Sequence, residues 1–163
     1  VRLPATARLA ARHAALERAL DVGLAALCAE AVGIMKATLD ATVDYLRTRQ
    51  QFGQPIGRFQ ALQHRAADML LHYEQAKSMS TLAALRCTSQ DAALRRRALS
   101  AAKVVIGRAA RFIGQQAVQL HGGMGMSDEL IVSHWFKRLT AIEPIFGDSD
   151  THLQNFIEAS ATS

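Results

Sequence analysis

The sequence predicts an all-α protein: an antiparallel helical bundle of three long and two short helices. Three observations predict it. Apolar residues recur at three-, four- and seven-residue intervals over long stretches, which is the spacing of one helix face. The chain is rich in Ala, Leu, Arg and Gln and has only three prolines, a mixture that loses little on entering a helix. A single Trp and two Tyr, with no run of convincing alternation, argue against a β-sandwich. The 163 residues, 50% of them hydrophobic, suffice for one domain with a real core.

The first pattern runs from about 13 to 48. Leu16, Leu20, Leu24, Leu27, Ala31, Ile34, Leu39 and Leu46 form its stripe. Gly23 and Gly33 lie inside it. Each costs about 1 kcal/mol relative to Ala in a helix interior, so each implies close packing of another backbone. Residues 53–57, Gly-Gln-Pro-Ile-Gly, form a loop. A second helix is expected over 59–87, with Leu62, Ala66, Met69, Leu70, Tyr73, Ala76, Leu82 and Leu85 inward. Residues 88–91 supply a turn with N-cap candidates. A third helix follows over 92–120, and its small residues suit the middle of a bundle. The glycines of 122–125 end it. Ser127 is the expected cap of the fourth helix, which carries Leu130, His134, Trp135 and Leu139. Pro144 and Gly147 break the chain again, and a last helix covers 149–159. The bundle domain is therefore assigned to 13–163. Residues 1–12 are assigned to the remnant of a preceding segment, because Val1-Arg2-Leu3-Pro4 reads as a chain entered midway.

Charge and cysteine content narrow the function. The net charge is +5 and the pI near 9.8, but the basic residues are scattered along helices. Arg95-Arg96-Arg97 reads as a solvated helix face. No nucleic-acid partner is expected. Cys28 and Cys87 sit inside helical patterns without metal-ligand spacing, which points to reduced thiols in a cytoplasmic protein and no metal site. The alanine-rich segments are interrupted by Arg, Glu or Asp every few residues, so no membrane span is expected.

Two segments carry chemistry. In residues 45–57, an arginine at a helix end is followed by amides, an aromatic and a glycine turn. Such a guanidinium can hold a diphosphate through two parallel charge-assisted bonds. The residues alone favour the plainer reading, a basic residue drawn to the helix dipole with Phe52 as a core plug. In Gln119-Leu120-His121-Gly122-Gly123, paired glycines let a ligand approach the backbone, and free amides there can bind an anion or a ring carbonyl. The same string is also an ordinary glycine stop.

Arg49-Gln50-Gln51-Phe52-Gly53-Gln54-Pro55-Ile56 with Phe59-Gln60-Ala61-Leu62-Gln63 resembles the acyl-CoA dehydrogenase family's "RxxFGxPI…FQxxQ" segment. Gln119-Leu120-His121-Gly122-Gly123-Met124-Gly125 resembles its second signature, in family order and at family separation. The resemblance covers nearly the whole chain and only the family's C-terminal domain. It implies FAD-linked α,β-dehydrogenation of an acyl-CoA thioester, with electrons passed to an electron-transfer flavoprotein. By motif position it gives Arg49 to the flavin diphosphate and Gln51 and Phe52 to the same cofactor. Gln119, Gly122 and Gly123 go to its ADP part. Such contacts in the family come largely from a neighbouring subunit, so an oligomer is implied. The domain alone is expected to be inactive.

The family's base does not carry over. It is usually a Glu in the loop before the last helix, in a "YEGT"-like string. Here that loop reads Pro144-Ile145-Phe146-Gly147-Asp148-Ser149-Asp150, and the position falls on Phe146 or Gly147 according to the anchor. A smaller branch uses a Glu on the first long helix, where Gly23 stands. Asp148 is the nearest replacement, with Asp150 and Glu30 behind it; all three are also ordinary caps or surface charges. The string 134–140 and the Gly-Asp-Ser-Asp that follows resemble the actinobacterial branch of steroid-CoA heterotetramers, in which one subunit type lacks a complete active site. A non-catalytic partner subunit is the alternative this implies.

Overall fold

The computed structural model describes residues 13–161, so the segment assigned to 1–12 lies outside the described residues. The chain forms helices α1 (His13–Thr48), α2 (Gln60–Arg86), α3 (Ala92–His121), α4 (Ile131–Ile142) and α5 (Ser149–Ala161). A two-stranded ribbon joins α1 to α2, with β1 (Gln50–Gln51) antiparallel to β2 (Gln54–Pro55) and Gln51 opposite Gln54. The expected bundle is present; the ribbon was not expected, being too short to show alternation.

Helix α3 is the central element and packs on α1, α2, α4 and α5. Its alanines allow this. Ala98, Ala102, Ala109, Ala110 and Ala117 are all buried, and small side chains let several helices approach one axis. Asp91 starts it, its carboxylate accepting from Leu94 N at 3.0 Å. Helix α1 is long and apolar enough to cross a membrane by length and composition alone, a test that a bundle's core helix also passes. In the bundle, Leu24, Leu27, Cys28, Ala31, Met35 and Leu39 of this helix lie in the core.

The stripes hold in their middles and fail at their ends. Leu16, Leu20, Leu70 and Leu85 are exposed, although their spacing predicted core. Leu16 and Leu20 precede the level at which α1 is covered. Arg95 is a second correction. It is 5% exposed, not part of a solvated face: its Nε donates to Asp21 Oδ2 at 2.9 Å and its Nη1 to Ser89 O at 2.7 Å. Ser127 does not cap α4; its Oγ donates to Met124 O at 3.0 Å, ending the 3-10 turn Gly122–Met126. Both cysteines are free, Cys28 buried and Cys87 half-buried.

Candidate functional site

The C-terminal ends of α1 and α3 lie side by side. The Tyr45 and His121 rings stack there, centroids 4.4 Å apart at 31°. His121 is buried, and its Nδ1 lies 2.8 Å from Ala117 O, so that nitrogen carries the proton and donates. The ribbon folds back on this platform. Ile56 N donates to Arg49 O at 2.9 Å, and Gln63 Nε2 donates to Gly57 O at 2.8 Å. A Cβ on Gly57 would stand 2.9 Å from Leu46 O, so glycine lets the ribbon lie directly on α1.

Between ribbon and α3 terminus lies an open depression of about 570 Å³, lined by Arg49, Gln51, Gln119, Gly122 and Gly123 among others. Two motifs some seventy residues apart in sequence are thus one surface. The Arg49 side chain has no acceptor among the described residues, whereas Arg47 lies 3.8 Å from Asp44 on α1. Gly122 has φ 62 and ψ −141, a conformation essentially restricted to glycine. Its N–H is used, donating to Gln119 O, so that amide is not the free donor the sequence suggested. What the paired glycines offer is bare backbone: a Cβ at Gly122 or Gly123 would meet nothing within 4 Å.

Phe52 stands apart from this lining. It is 90% exposed, at φ 54, with only an edge contact to Phe59 at 6.0 Å. It is not a core plug. Left-handed backbone is uncommon for a bulky residue and costs on the order of 1–3 kcal/mol.

A second cluster lies between α4 and α5. Phe146 has φ 61 and Gly147 φ 101. The Phe146 ring lies over Gly23 of α1, where an added Cβ would meet Cζ at 3.0 Å. The backbone contact expected at both glycines is thus absent among the described residues: Gly23 packs against a side chain, and at Gly33 nothing lies within 4 Å. Asp148 Oδ1 accepts from Thr151 N at 2.8 Å, capping α5. Bonding to Thr151 holds its carboxyl below the ordinary range. Asp148 also borders a cleft of about 370 Å³ with Arg108, Arg111, Glu143 and Asp150. Glu30 is engaged elsewhere, accepting both Arg138 Nε at 2.6 Å and Nη2 at 2.9 Å.

Sequence reasoning missed Tyr45 and His121, which build the platform, and Lys103 and His152, which are buried near the second cluster. Lys103 had a signal: it falls among the apolar and small residues of α3, where a charge needs a reason.

The sequence matches the family profile described as acyl-CoA dehydrogenase, C-terminal domain, over residues 13–161. It is 34% identical over 145 residues to the probable acyl-CoA dehydrogenase YngJ of Bacillus subtilis, covering 86% of this chain and 36% of that protein. Among solved structures it is similar to a variant of the Tcur3481–Tcur3483 steroid ACAD. That match has a TM-score of 0.86 at 29% identity, over 92% of this chain and 41% of the other. PigA with FAD and proline matches with a TM-score of 0.81 at 26% identity, over 91% and 38%. The chain spans about a third of the length of the curated relatives it matches.

Proposed function

Because this chain belongs to the acyl-CoA dehydrogenase family through the C-terminal domain it matches, we propose that it is the part of an FAD-dependent acyl-CoA dehydrogenase that supplies flavin and subunit contacts. One observation carries the reading: the depression that gathers Arg49, Gln51, Gln119, Gly122 and Gly123, with the Arg49 guanidinium lacking an acceptor among the described residues. These residues fit a diphosphate and the ADP beyond it. Arg49 offers a planar fork to phosphate oxygens. Gln51 and Gln119 offer amides at the rim, and Gly122 and Gly123 let the cofactor lie on backbone. FAD bound there supplies the hydride acceptor for α,β-dehydrogenation of an acyl-CoA thioester, and reoxidation falls to an electron-transfer flavoprotein.

Two features support an oligomer. Phe52 extends from the ribbon 90% exposed, without cover among the described residues, and the depression is open. The flavin is thus shared between subunits, and the chain alone holds it weakly and is inactive. A cytoplasmic location accompanies this reading.

The test is flavin content per subunit in the protein at full family length. Arg49 is exposed in this chain; if flavin and a neighbouring subunit bury it against the diphosphate, Arg49→Ala costs roughly 2–5 kcal/mol. Even the low end lowers flavin affinity by more than about tenfold. Arg49→Lys recovers part of it, and Arg47→Ala retains flavin. Equal occupancy in all three removes Arg49 from the cofactor site.

A second reading, a non-catalytic partner subunit in a heterotetramer, is favoured by the Phe146 ring over Gly23. Neither position that serves the family's base holds an acid, and the ring fills the space between them. Asp148 is the remaining candidate base, but its hydrogen bonding makes it a weak one. Asp148→Asn decides: abolished dehydrogenation assigns the base to this chain, and unchanged turnover assigns it to the partner subunit.

A further inference from the structure

Ser100, Lys103 and Gly107 follow one another on one face of α3, at the spacing that aligns side chains along a helix. All three meet the segment that links α4 to α5 or the first turn of α5. Lys103 is 2% exposed. Its Nζ donates to Ile142 O at 3.1 Å, Glu143 O at 2.8 Å and Ile145 O at 2.9 Å. An ammonium has three protons, and all three are used on the terminal carbonyls of one turn. Ser100 Oγ lies 3.2 Å from His152 Nδ1, and His152 Nε2 lies 3.0 Å from Phe146 O. The carbonyl can only accept, so Nε2 donates and Nδ1 accepts from the Ser100 hydroxyl. At Gly107 a Cβ would stand 2.6 Å from Ser149 Oγ, so bare backbone lets the start of α5 seat against α3. Glu143 Oε1 accepts from Ser149 N at 3.0 Å and closes the segment on its other side.

The carbonyls of residues 142, 143, 145 and 146 are therefore held by two buried side chains. Between them the backbone does what it resists: Phe146 and Gly147 are both left-handed. A bulky residue adopts that conformation only where its surroundings over-determine it. We propose that Lys103 and His152 are positioning residues, which lock the turn before α5 so that the side chain at position 146 is delivered onto Gly23. The importance of that point rests on the family reading above; the geometry of the lock does not.

The test is hydrogen exchange of backbone amides in the intact protein. Lys103→Met removes three donors at nearly constant volume. Exchange over residues 142–148 accelerates by at least about tenfold, as expected for loss of a local lock, while α2 is unchanged. Lys103→Gln, which keeps amide donors, gives an intermediate rate. Should Lys103→Met fail to fold, His152→Leu, which touches one carbonyl, carries the same reading. The second readout is the Gly23 α-proton shift, moved by the Phe146 ring in the parent and lost in the Lys103 variants. Acceleration spread equally over α2, or no acceleration at 142–148, overturns the proposal. A Gly23 shift unchanged in the Lys103 variants also overturns it. Flavin content in the same samples separates the two ideas. A parent protein without flavin sinks the cofactor reading and leaves the exchange result standing.

Discussion

Gly23 of α1 and the Phe146 ring are in contact across the bundle: a Cβ on Gly23 would lie 3.0 Å from Phe146 Cζ. This contact explains a glycine in the middle of a 36-residue helix. Gly23→Ala should gain about 1 kcal/mol of helix propensity and lose most of it to the crowded ring. In a Phe146→Ala background the same change should stabilise by about 1 kcal/mol. Urea midpoints for the two singles and the double measure the coupling. Additive effects would mean that the ring does not rest on Gly23.

Arg95 is the next test. Its guanidinium is buried, paired with Asp21 and bonded to Ser89 O. Arg95→Ala leaves Asp21, itself only partly exposed, without its partner and should destabilise by about 3–5 kcal/mol. Arg96→Ala, on the exposed side of the same helix, should stay within about 0.5 kcal/mol. Equal losses for the two would mean that Arg95 is as solvated as its neighbour.

That pair also marks how far the sequence could be read. Helix periods are local, so α1 could be read to its ends and α3 to within one residue. Which part of a stripe is covered is decided by where other helices stop, and this is why Leu16 and Leu85 were misjudged. The motifs at Arg49 and Gln119 were legible one by one. Their convergence was not, because it depends on α1 and α3 ending at the same level of the bundle. Arg95 looks like a surface charge in the sequence, and the apolar neighbours of Lys103 ask for a partner without naming one; only the fold shows the first meeting Asp21 and the second a ring of carbonyls. The ribbon at Gln50–Pro55 is fixed by two ladder pairs and by Gly57 on Leu46, contacts without any periodic signature.

Cys28 gives a chemical prediction. Burial pushes its thiol up from 9.0 to about 11, with Lys103 nearby opposing the shift. The thiolate is the nucleophile, so a thiol reagent at neutral pH should modify half-buried Cys87 and leave Cys28 until the protein unfolds. The raised value also sets a stability window. The unfolded chain releases this proton near 9.0 and the folded chain only near 11. The thiol's contribution is whole below pH 9 and is lost as pH rises between the two. Lys103, whose burial lowers its own value, acts in the opposite sense, so comparison with Cys28→Ala isolates the thiol. Rapid labelling of Cys28 in the native protein would rule out this environment.

His152 gives the acid side. Burial holds its imidazole below 6.5; Lys103 pushes the same way, while the Phe146 carbonyl, Asp148 and Glu143 oppose. The unfolded chain therefore binds this proton at a higher pH than the folded chain. Stability should fall as pH drops below about 6.5 and level off beneath the folded value. Asp148, lowered by its bond to Thr151, contributes in the same direction only below its ordinary 3.8. His152→Leu should lie below the parent in stability at neutral pH, because the Phe146 carbonyl and Ser100 lose their partner. It should also lack the part of the parent's decline below about pH 6.5 that this imidazole contributes. Urea midpoints across that range, for both proteins, give the comparison. Parallel declines would assign the titration to another histidine, and a midpoint rising as pH falls would mean that His152 is charged in the folded bundle.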